Sequence, residues 1–167
     1  MKQVIIVTGP GGAGKTTIAE MMEMENGYTL LDGDHEDTKF FQNGGQWLPE
    51  NTENLRKAHR KILGKTKEMV DQGNKVVVDY IIFGLYRDFF EMFQEAFGDD
   101  LQIIVLFPSI EESVVRDKER ECWTTGEERI QAVRGEFEEI KDILGKDKYI
   151  DTTGQTPEQT FRIIKRV

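Results

Sequence analysis

Eight residues near the amino terminus have the types and spacing of a phosphate-binding loop. They read Gly9-Pro10-Gly11-Gly12-Ala13-Gly14-Lys15-Thr16, which matches the pattern G-x-x-x-x-G-K-[ST]. The apolar run Val4-Ile5-Ile6-Val7 precedes them, and a helical stretch follows. Glycines allow backbone N–H groups to close around phosphate oxygens, and the helix N-terminus adds positive charge. The pattern therefore predicts that this chain binds a nucleoside triphosphate.

Two side chains of this loop have defined chemistry in such sites. We expect Lys15 to reach the β- and γ-phosphates of ATP and the Thr16 hydroxyl to be a ligand of Mg²⁺. Thr17 is a further candidate, for the α-phosphate. The predicted nucleotide-binding residues of the loop are Gly9, Gly11, Gly12, Ala13, Gly14, Lys15, Thr16 and Thr17.

Carboxylates follow the second and third predicted strands, where ligands collect in an open parallel sheet. If strand geometry continues through Asp32 and Asp34, both side chains point into the same crevice. We assign the general base to Asp34, which lies further beyond the strand end, and a metal-binding role to Asp32. Asp79 ends the apolar run 76–78 and competes with Asp32 for the metal. A plain acidic turn is the alternative for 32–34, because Asp-Gly is a common turn dipeptide.

Arginines are spaced to stabilise charge on a transferred phosphoryl group. Arg116 and Arg120 are four residues apart in the helix predicted after the fourth strand, so they share a face. The break at 123–126 behind them predicts a lid of about residues 116–129. Ordinary ion pairing is the alternative, since the same helix is rich in acids. Arg129 and Arg134 are weaker lid candidates. The expected contacts to the acceptor substrate, besides Asp34, are His35, Arg56, Arg60 and Arg87.

The elements that must position these residues alternate between β-branched apolar runs and amphipathic helical segments. This alternation predicts an α/β fold with a parallel sheet. Helices are expected over about 14–25, 55–70, 86–97, 109–121 and 130–144, and after the capping sequence Thr156-Pro157-Glu158-Gln159. The start signals are Ser109 with Glu112 and Thr125 with Glu128; the segment from 33 to about 50 is expected to be irregular. The predicted strands are Gln3–Thr8, Tyr28–Asp32, Lys75–Tyr80, Leu101–Phe107 and Lys148–Asp151.

Composition limits the number of domains, the compartment and the kinds of partner that this chain can have. The 167 residues, 38% hydrophobic and 32% charged, suit one domain over 1–167. No apolar stretch has membrane-spanning length and no signal segment precedes the first strand, so we expect a cytoplasmic protein without a membrane partner, as a monomer or homodimer. The single cysteine, Cys122, excludes an internal disulfide. The formal net charge of −9 makes a nucleic-acid partner unlikely.

With these residues in place, the chain resembles the small P-loop kinases, which include shikimate, gluconate, adenylylsulfate and nucleoside monophosphate kinases. The resemblance rests on Gly9–Thr16, Asp32-Gly33-Asp34, Arg116 with Arg120, and Ile150-Asp151-Thr152-Thr153-Gly154. It implies a three-layer α/β/α fold with five parallel strands in the order 2-3-1-4-5. It also implies transfer of the γ-phosphoryl group of ATP, with Mg²⁺, to a hydroxyl of a small-molecule acceptor. Adenine would lie between the lid arginines and the segment that contains Thr153.

Other features separate the chain from particular members of this group. The Asp-Gly-Asp step followed by Asn43-Gly44-Gly45 is similar to gluconate and adenylylsulfate kinases, whereas Phe83-Gly84 replaces the triple glycine of shikimate kinase. The lid lacks the denser arginines of nucleoside monophosphate kinases. Two alternatives stay open: a nucleoside, nucleotide or 5′-polynucleotide kinase, and a nucleotide-binding regulatory NTPase with slow hydrolysis and no small acceptor.

Overall fold

Five parallel strands form one sheet in this computed structural model, which describes residues 1–41, 43–119 and 124–166. Hydrogen bonding gives the order β2-β3-β1-β4-β5, as predicted. The last strand is only two residues long, shorter than expected. The strands are β1 (Val4–Thr8), β2 (Tyr28–Asp32), β3 (Lys75–Asp79), β4 (Leu101–Leu106) and β5 (Tyr149–Ile150).

Helices connect the strands and cover both faces of the sheet. Within the described ranges, none of them combines the length and the apolarity needed to cross a bilayer. Short 3₁₀ turns lie at Pro49–Asn51, Gly98–Asp100 and Lys146–Lys148. The helices are α1 (Lys15–Asn26), α2 (Gly33–Thr38), α3 (Thr52–Asp71), α4 (Tyr86–Phe97), α5 (Ile110–Lys118), α6 (Glu127–Glu139), α7 (Lys141–Leu144) and α8 (Pro157–Ile164).

Alternation along the central strand divides the core into two apolar layers. Val4 and Ile6 of β1 belong to one cluster, and Ile5 and Val7 belong to the other; all four are fully buried. Successive side chains of a strand point to opposite faces, so each layer needs its own helices. The first layer is completed by α3, α4 and α6, through Ile62, Phe89, Phe93 and Phe137. The second is completed by α1 and α8, through Ile18, Met22, Phe161 and Ile164.

Two of the three predicted helix starts are confirmed. The Ser109 hydroxyl accepts a hydrogen bond from the Glu112 amide at 3.1 Å, and Thr156 and Gln159 cap each other reciprocally at the start of α8. The start predicted at Thr125 is wrong, because the N-cap of α6 is Gly126 and has no side-chain cap. The helix predicted over 130–144 is divided at Ile140 into α6 and α7.

The segment after β2 is not irregular from its first residue, as predicted, because α2 begins at Gly33. The Asp32 carboxylate accepts a hydrogen bond from the His35 amide at 2.8 Å and so caps this helix. The expectation that Asp32 and Asp34 point in the same direction along a continued strand is therefore wrong. Instead, Asp34 and Asp37 are three residues apart on one face of α2.

Replacing Phe89 by Ala tests the aromatic packing under α4. Phe89 is fully buried, and its ring centroid lies 4.8 Å from those of His59 and Phe93. We expect a loss of about 3–5 kcal/mol in the free energy of unfolding, because the removed ring leaves a cavity. Urea unfolding measures it against Met24→Ala in α1, which is 77% exposed and should change stability by less than about 0.5 kcal/mol. Equal losses in the two variants would contradict this packing role.

Candidate active site

The phosphate loop lies against the backbone of β4 and α5. Gly9 and Gly12 have φ angles of 139° and 72°, which favour glycine. A Cβ built on Gly9 would lie 2.2 Å from the Leu106 carbonyl oxygen, and one on Gly12 would lie 2.1 Å from that of Ser113. Neither contact leaves room for a side chain. The two glycines are therefore required by conformation and by the close approach of neighbouring backbone.

Lys15 and Thr16 begin α1 and point toward the carboxyl ends of the strands. The Lys15 side chain is buried, and its Nζ donates a hydrogen bond to the Pro10 carbonyl at 3.0 Å. The Thr16 hydroxyl donates to Asp79 Oδ2 at 2.6 Å. Asp79 ends β3, which is adjacent to β1, and it is buried. The sequence offered Asp32 and Asp79 as candidate metal ligands, and it is Asp79 that lies beside Thr16.

A cavity of about 330 Å³ opens beside the loop. Its walls come from the loop and the start of α1 on one side, and from α5 and α8 on the other. The predicted loop residues Gly12, Ala13, Gly14, Thr16 and Thr17 all face it. The remaining walls are formed by Lys15, Ile18, Arg116, Gln155, Pro157 and Thr160.

Arg116 is held rigidly at the edge of this cavity. Its guanidinium donates to the Glu112 carboxylate at 2.9 Å and to the carbonyl oxygens of Thr152 and Gln155 at 2.9 and 3.2 Å. The pairing with Glu112 was the alternative reading of this arginine, and here it coexists with a place in the cavity wall. The second predicted lid arginine, Arg120, lies outside the described residues, as does Cys122.

Thr153 does not line the cavity beside the phosphate loop, contrary to expectation. Its hydroxyl donates to Asp151 at 2.6 Å and accepts from the Ser109 amide at 2.8 Å, so it joins the start of α5 to the segment after β5. The segment still reaches the cavity, but through Gln155 and Pro157, which follow two and four residues later.

Asp34 lies in a partly buried position beside the ends of β1 and β3. Its Oδ1 accepts a hydrogen bond from the Ile81 amide at 3.2 Å. Burial raises the pKa of Asp34 to about 7; the Lys15 ammonium opposes this shift and the Asp79 carboxylate adds to it. Asp34 is therefore electrostatically coupled to both Lys15 and Asp79 at the loop.

A buried polar chain supports the same region. The Tyr80 hydroxyl donates to Asp37 Oδ2 at 2.9 Å and lies 3.1 Å from His59 Nε2, and Gln46 donates to the other Asp37 oxygen at 3.3 Å. Burial raises the pKa of Asp37 to about 6 and lowers the pKa of His59 to about 4. His59 is thus a packed core residue.

A second cavity, of about 190 Å³, lies on the Asp34 side of the loop. Asp34, Asp37 and Gln46 provide its polar groups, and aromatic and aliphatic side chains provide most of the wall. Trp47 is part of this wall. The other lining residues are Thr38, Ile81, Phe83, Thr125 and Arg129.

Five predicted site residues lie elsewhere. Asp32 is exposed and caps α2, and the exposed His35 does not line the second cavity. Arg56 pairs with Asp88 at 2.7 Å, and Arg87 lies 3.9 Å from Glu91, both at the surface. Arg60 is exposed on α3. These arginines are long cations on solvent-facing helix positions, where the charge stays hydrated, and none of them lines either cavity.

One connection between α5 and the start of α6, beside the phosphate loop, was not predicted from the sequence. The buried carboxylate of Asp117 accepts hydrogen bonds from the amides of Thr125 and Gly126 at 2.9 and 3.0 Å. This places Thr125 against Gly11, where an added Cβ would lie 2.5 Å from the Thr125 hydroxyl oxygen. Thr125 also lines the second cavity. The only signal in the sequence was an acid within a helix rich in acids, which is not distinctive.

Three solved structures resemble the whole chain at low identity. A sugar kinase from Janibacter sp. HTCC2649 has a TM-score of 0.74 at 19% identity, over 99% of this chain and 94% of that one. A gluconokinase from Sinorhizobium meliloti 1021 has a TM-score of 0.63 at 20% identity, over 95% and 87%. Deoxyadenosine kinase from M. mycoides has a TM-score of 0.67 at 17% identity, over 98% and 97%. At these identities the likeness establishes the P-loop kinase fold.

Sequence similarity gives a more specific result than structural similarity does. No curated protein matches it significantly. The AAA domain family AAA_33 matches residues 4–145, from β1 and the phosphate loop to the end of α7. That range contains the loop, Asp34, Asp79 and Arg116. The chain therefore belongs to the AAA_33 family of P-loop domains.

Proposed function

We propose that this protein is a kinase that transfers the γ-phosphoryl group of ATP, with Mg²⁺, to a hydroxyl of a small-molecule acceptor. The observation that carries the proposal is a pair of cavities at the phosphate loop. One contains the loop, Arg116 and the start of α8; the other contains Asp34 and is walled by aromatic residues. Thr125 lies against Gly11 of the loop and also lines the second cavity, so the second cavity reaches the loop from the side of Asp34. A donor on one side and an acceptor on the other is the arrangement that phosphoryl transfer requires.

Asp34 is the base in this proposal. Its carboxylate lines the acceptor cavity and is coupled to Lys15, which the loop directs at the transferred group. A pKa of about 7 suits a general base near neutral pH, because the carboxylate is available and also basic enough to take a proton. Asp34 would orient the acceptor hydroxyl and accept its proton as the oxygen attacks phosphorus.

The residues at the loop fit a magnesium ion. Thr16 and Asp79 place a hydroxyl and a carboxylate oxygen 2.6 Å apart at the ends of neighbouring strands. Mg²⁺ prefers such oxygen ligands and takes the rest of its coordination from phosphates and water, so a complete protein cage is unnecessary. The bound ion would neutralise charge on the β- and γ-phosphates. Asp32 has no place in this set, because its carboxylate caps α2.

The remaining groups stabilise charge and hold the nucleotide. Lys15 and the loop amides supply positive charge at the transferred phosphoryl group. Arg116 has its N–H groups bound to Glu112, Thr152 and Gln155, which leaves the flat face of its guanidinium for stacking on adenine. Arg120 would add a second cation from the lid. The lid end is tied down by Asp117 over Gly11, which limits access of water to the transferred group.

A screen of ATP consumption over sugar acids, amino sugars, nucleosides and antibiotics tests this function. We expect ATP turnover that depends on one class of hydroxyl acceptor, with little turnover by ATP alone. Lys15→Ala should abolish it by damaging phosphate binding. Asp34→Asn should lower kcat about 10²- to 10⁴-fold while ATP binding persists, since only proton transfer is lost.

Asp32→Asn is the matched control for Asp34→Asn, because asparagine also caps helices and Asp32 lies outside the acceptor cavity. It should retain near wild-type turnover. A wild-type rate in Asp34→Asn would remove the base assignment. Slow hydrolysis of ATP with no dependence on any acceptor would instead favour a regulatory NTPase, and turnover of nucleosides alone would favour a nucleoside kinase.

The elevated pKa of Asp34 also predicts a pH-dependent stability difference. Between pH of about 4 and 7 the folded protein holds a proton on Asp34 that the unfolded chain has released, so this group lowers stability as the pH rises. The cost is complete above pH 7 and absent below about 4. Asp34→Asn removes the charge and keeps an oxygen for the Ile81 amide. We therefore expect its Tm to exceed wild type by several degrees at pH 8, since about 1 kcal/mol shifts Tm by about 2–4 °C.

Thermal unfolding at pH 8 and pH 4.5 measures this difference. The Tm difference between Asp34→Asn and wild type should be much smaller at pH 4.5, where the wild-type carboxyl is protonated. Asp99→Asn, at an exposed position, should leave Tm within about 1 °C at both values. A lower Tm for Asp34→Asn at pH 8 would mean that Lys15 stabilises the charged carboxylate by more than burial costs it.

A further inference from the structure

We propose that Asp37 is a positioning residue, which fixes segment 43–48 against α2 and so shapes the second cavity. This inference rests on the proposed function, because that cavity contains Asp34. Asp37 is on α2 and is fully buried, and segment 43–48 contributes Gln46 and Trp47 to the cavity wall. Nothing in the sequence set Asp37 apart from the other carboxylates of the chain.

The two carboxylate oxygens of Asp37 have different partners. Oδ2 accepts a hydrogen bond from the Tyr80 hydroxyl at 2.9 Å, and Oδ1 accepts one from Gln46 Nε2 at 3.3 Å. Tyr80 directly follows β3, whereas Gln46 belongs to segment 43–48. Hydrogen bonds to an ionised group are stronger than those between neutral groups. A single carboxylate therefore joins the segment to the end of the central sheet.

Tyr80 holds its side of this connection firmly. It is fully buried, and because its one hydroxyl hydrogen is donated to Asp37, its oxygen accepts from His59 Nε2 at 3.1 Å. A Cβ built on Gly33, the first residue of α2, would lie 2.6 Å from the Tyr80 Cβ. The start of α2 thus packs directly on this side chain. Asp37 is therefore fixed with respect to β3, and any looseness must be on the side of segment 43–48.

The residues on either side of Tyr80 hold the groups assigned to catalysis. Asp79 accepts a hydrogen bond from the hydroxyl of the loop threonine at 2.6 Å, and the Ile81 amide donates to Asp34 at 3.2 Å. Three consecutive residues thus connect the phosphate loop, Asp37 and Asp34. A segment that is fixed to Asp37 is for this reason also fixed with respect to the proposed base.

Segment 43–48 has few other connections of this kind. Among the hydrogen bonds of the described residues, the one between Gln46 and Asp37 is the only one that joins the segment to α2. Its other hydrogen bonds run within the segment or to residues near it in the chain. Trp47 is 47% exposed, so burial of its ring is incomplete. Loss of the Gln46 link should therefore release the segment without unfolding the protein.

Gln46→Met tests the link through the kinetics of acceptor turnover. Met has about the size of Gln but donates no hydrogen bond. Release of the segment lowers the fraction of molecules with a formed cavity, so the acceptor KM rises while kcat at saturating acceptor changes little. We expect an increase in KM of about tenfold or more, since a hydrogen bond to a charged group is worth about 10- to 150-fold. The KM for ATP should stay at the wild-type value, because neither Gln46 nor Asp37 lines the cavity beside the phosphate loop.

An exchange of the two groups distinguishes positioning from direct contact with the acceptor. In Asp37→Asn/Gln46→Glu, the amide at position 37 can donate to the carboxylate at position 46, and its oxygen still accepts from Tyr80. We expect this double variant to recover an acceptor KM near that of wild type. Asp37→Asn/Gln46→Met has no carboxylate in the pair and should stay at least as impaired as Gln46→Met. If Asp37 bound the acceptor itself, the exchange would not restore KM.

Gln72→Met is the matched control, because Gln72 is exposed at the end of α3 and lines neither cavity. It should have wild-type constants. A wild-type acceptor KM in Gln46→Met would overturn the inference, as would an exchange variant no better than Asp37→Asn/Gln46→Met. Both results leave the kinase function standing. Absence of turnover with every acceptor would contradict the proposed function, and a measurement without turnover then decides the inference.

That measurement is the fluorescence of Trp47 in a Trp123→Phe background, where it is the one remaining tryptophan. Quenching by acrylamide should increase about twofold in Gln46→Met, because 47% of the side chain is exposed while the segment is held. The exchange variant and Gln72→Met should match the parent. Unchanged quenching in Gln46→Met, or an increase that the exchange does not reverse, would overturn the inference. Global unfolding of Gln46→Met would also overturn it, since the segment would then be part of the cooperative core.

Discussion

The site depends on direct contact between the phosphate loop and the backbone of its neighbours. Gly9 lies against the last carbonyl of β4 and Gly12 against a carbonyl in the first turns of α5. Because no side chain fits at either point, the loop, the end of β4 and α5 are fixed with respect to one another. Lys15 and Arg116 take their positions from these contacts: one continues the loop into α1, and the other lies one turn beyond Ser113 on α5.

The cavity that contains Asp34 is built on a different principle, in which charged groups are held in a mostly apolar wall. Burial pushes the pKa of Asp34 to about 7 and that of Asp37 to about 6. Each of these groups is less stable in its charged form than it would be in water, and the surrounding core must offset that cost. Tyr80 and His59 offset part of the cost at Asp37. The Tyr80 hydroxyl donates to Asp37 and lies beside His59, and these hydrogen bonds connect the carboxylate to the aromatic cluster around Phe89.

The fold was predictable from the sequence because its signals are local: apolar runs, glycine stops and caps such as Thr156 with Gln159. The phosphate loop was also predictable, since its pattern is contiguous. The surroundings of Asp34 were not. Asp32 is a good N-cap as well as a good metal ligand, and only the structure shows that it caps α2. Arg56 and Arg129 look alike in sequence, and whether either lies in a cavity depends on how α3 and α6 pack.

Arg116 and Arg129 show how differently one residue type can be held near the phosphate loop. Around Arg116, a carboxylate and two carbonyl oxygens occupy the edges of the guanidinium, and its flat face is left uncovered by these hydrogen bonds. Around Arg129, the rings of Trp47 and Phe83 lie over the face, and Nε and Nη2 are enclosed without a hydrogen-bond partner among the described residues. The difference arises from which surface of each guanidinium the protein covers. The chain has a net charge of −9, so an anionic ligand depends on local arrangements of this kind for positive charge.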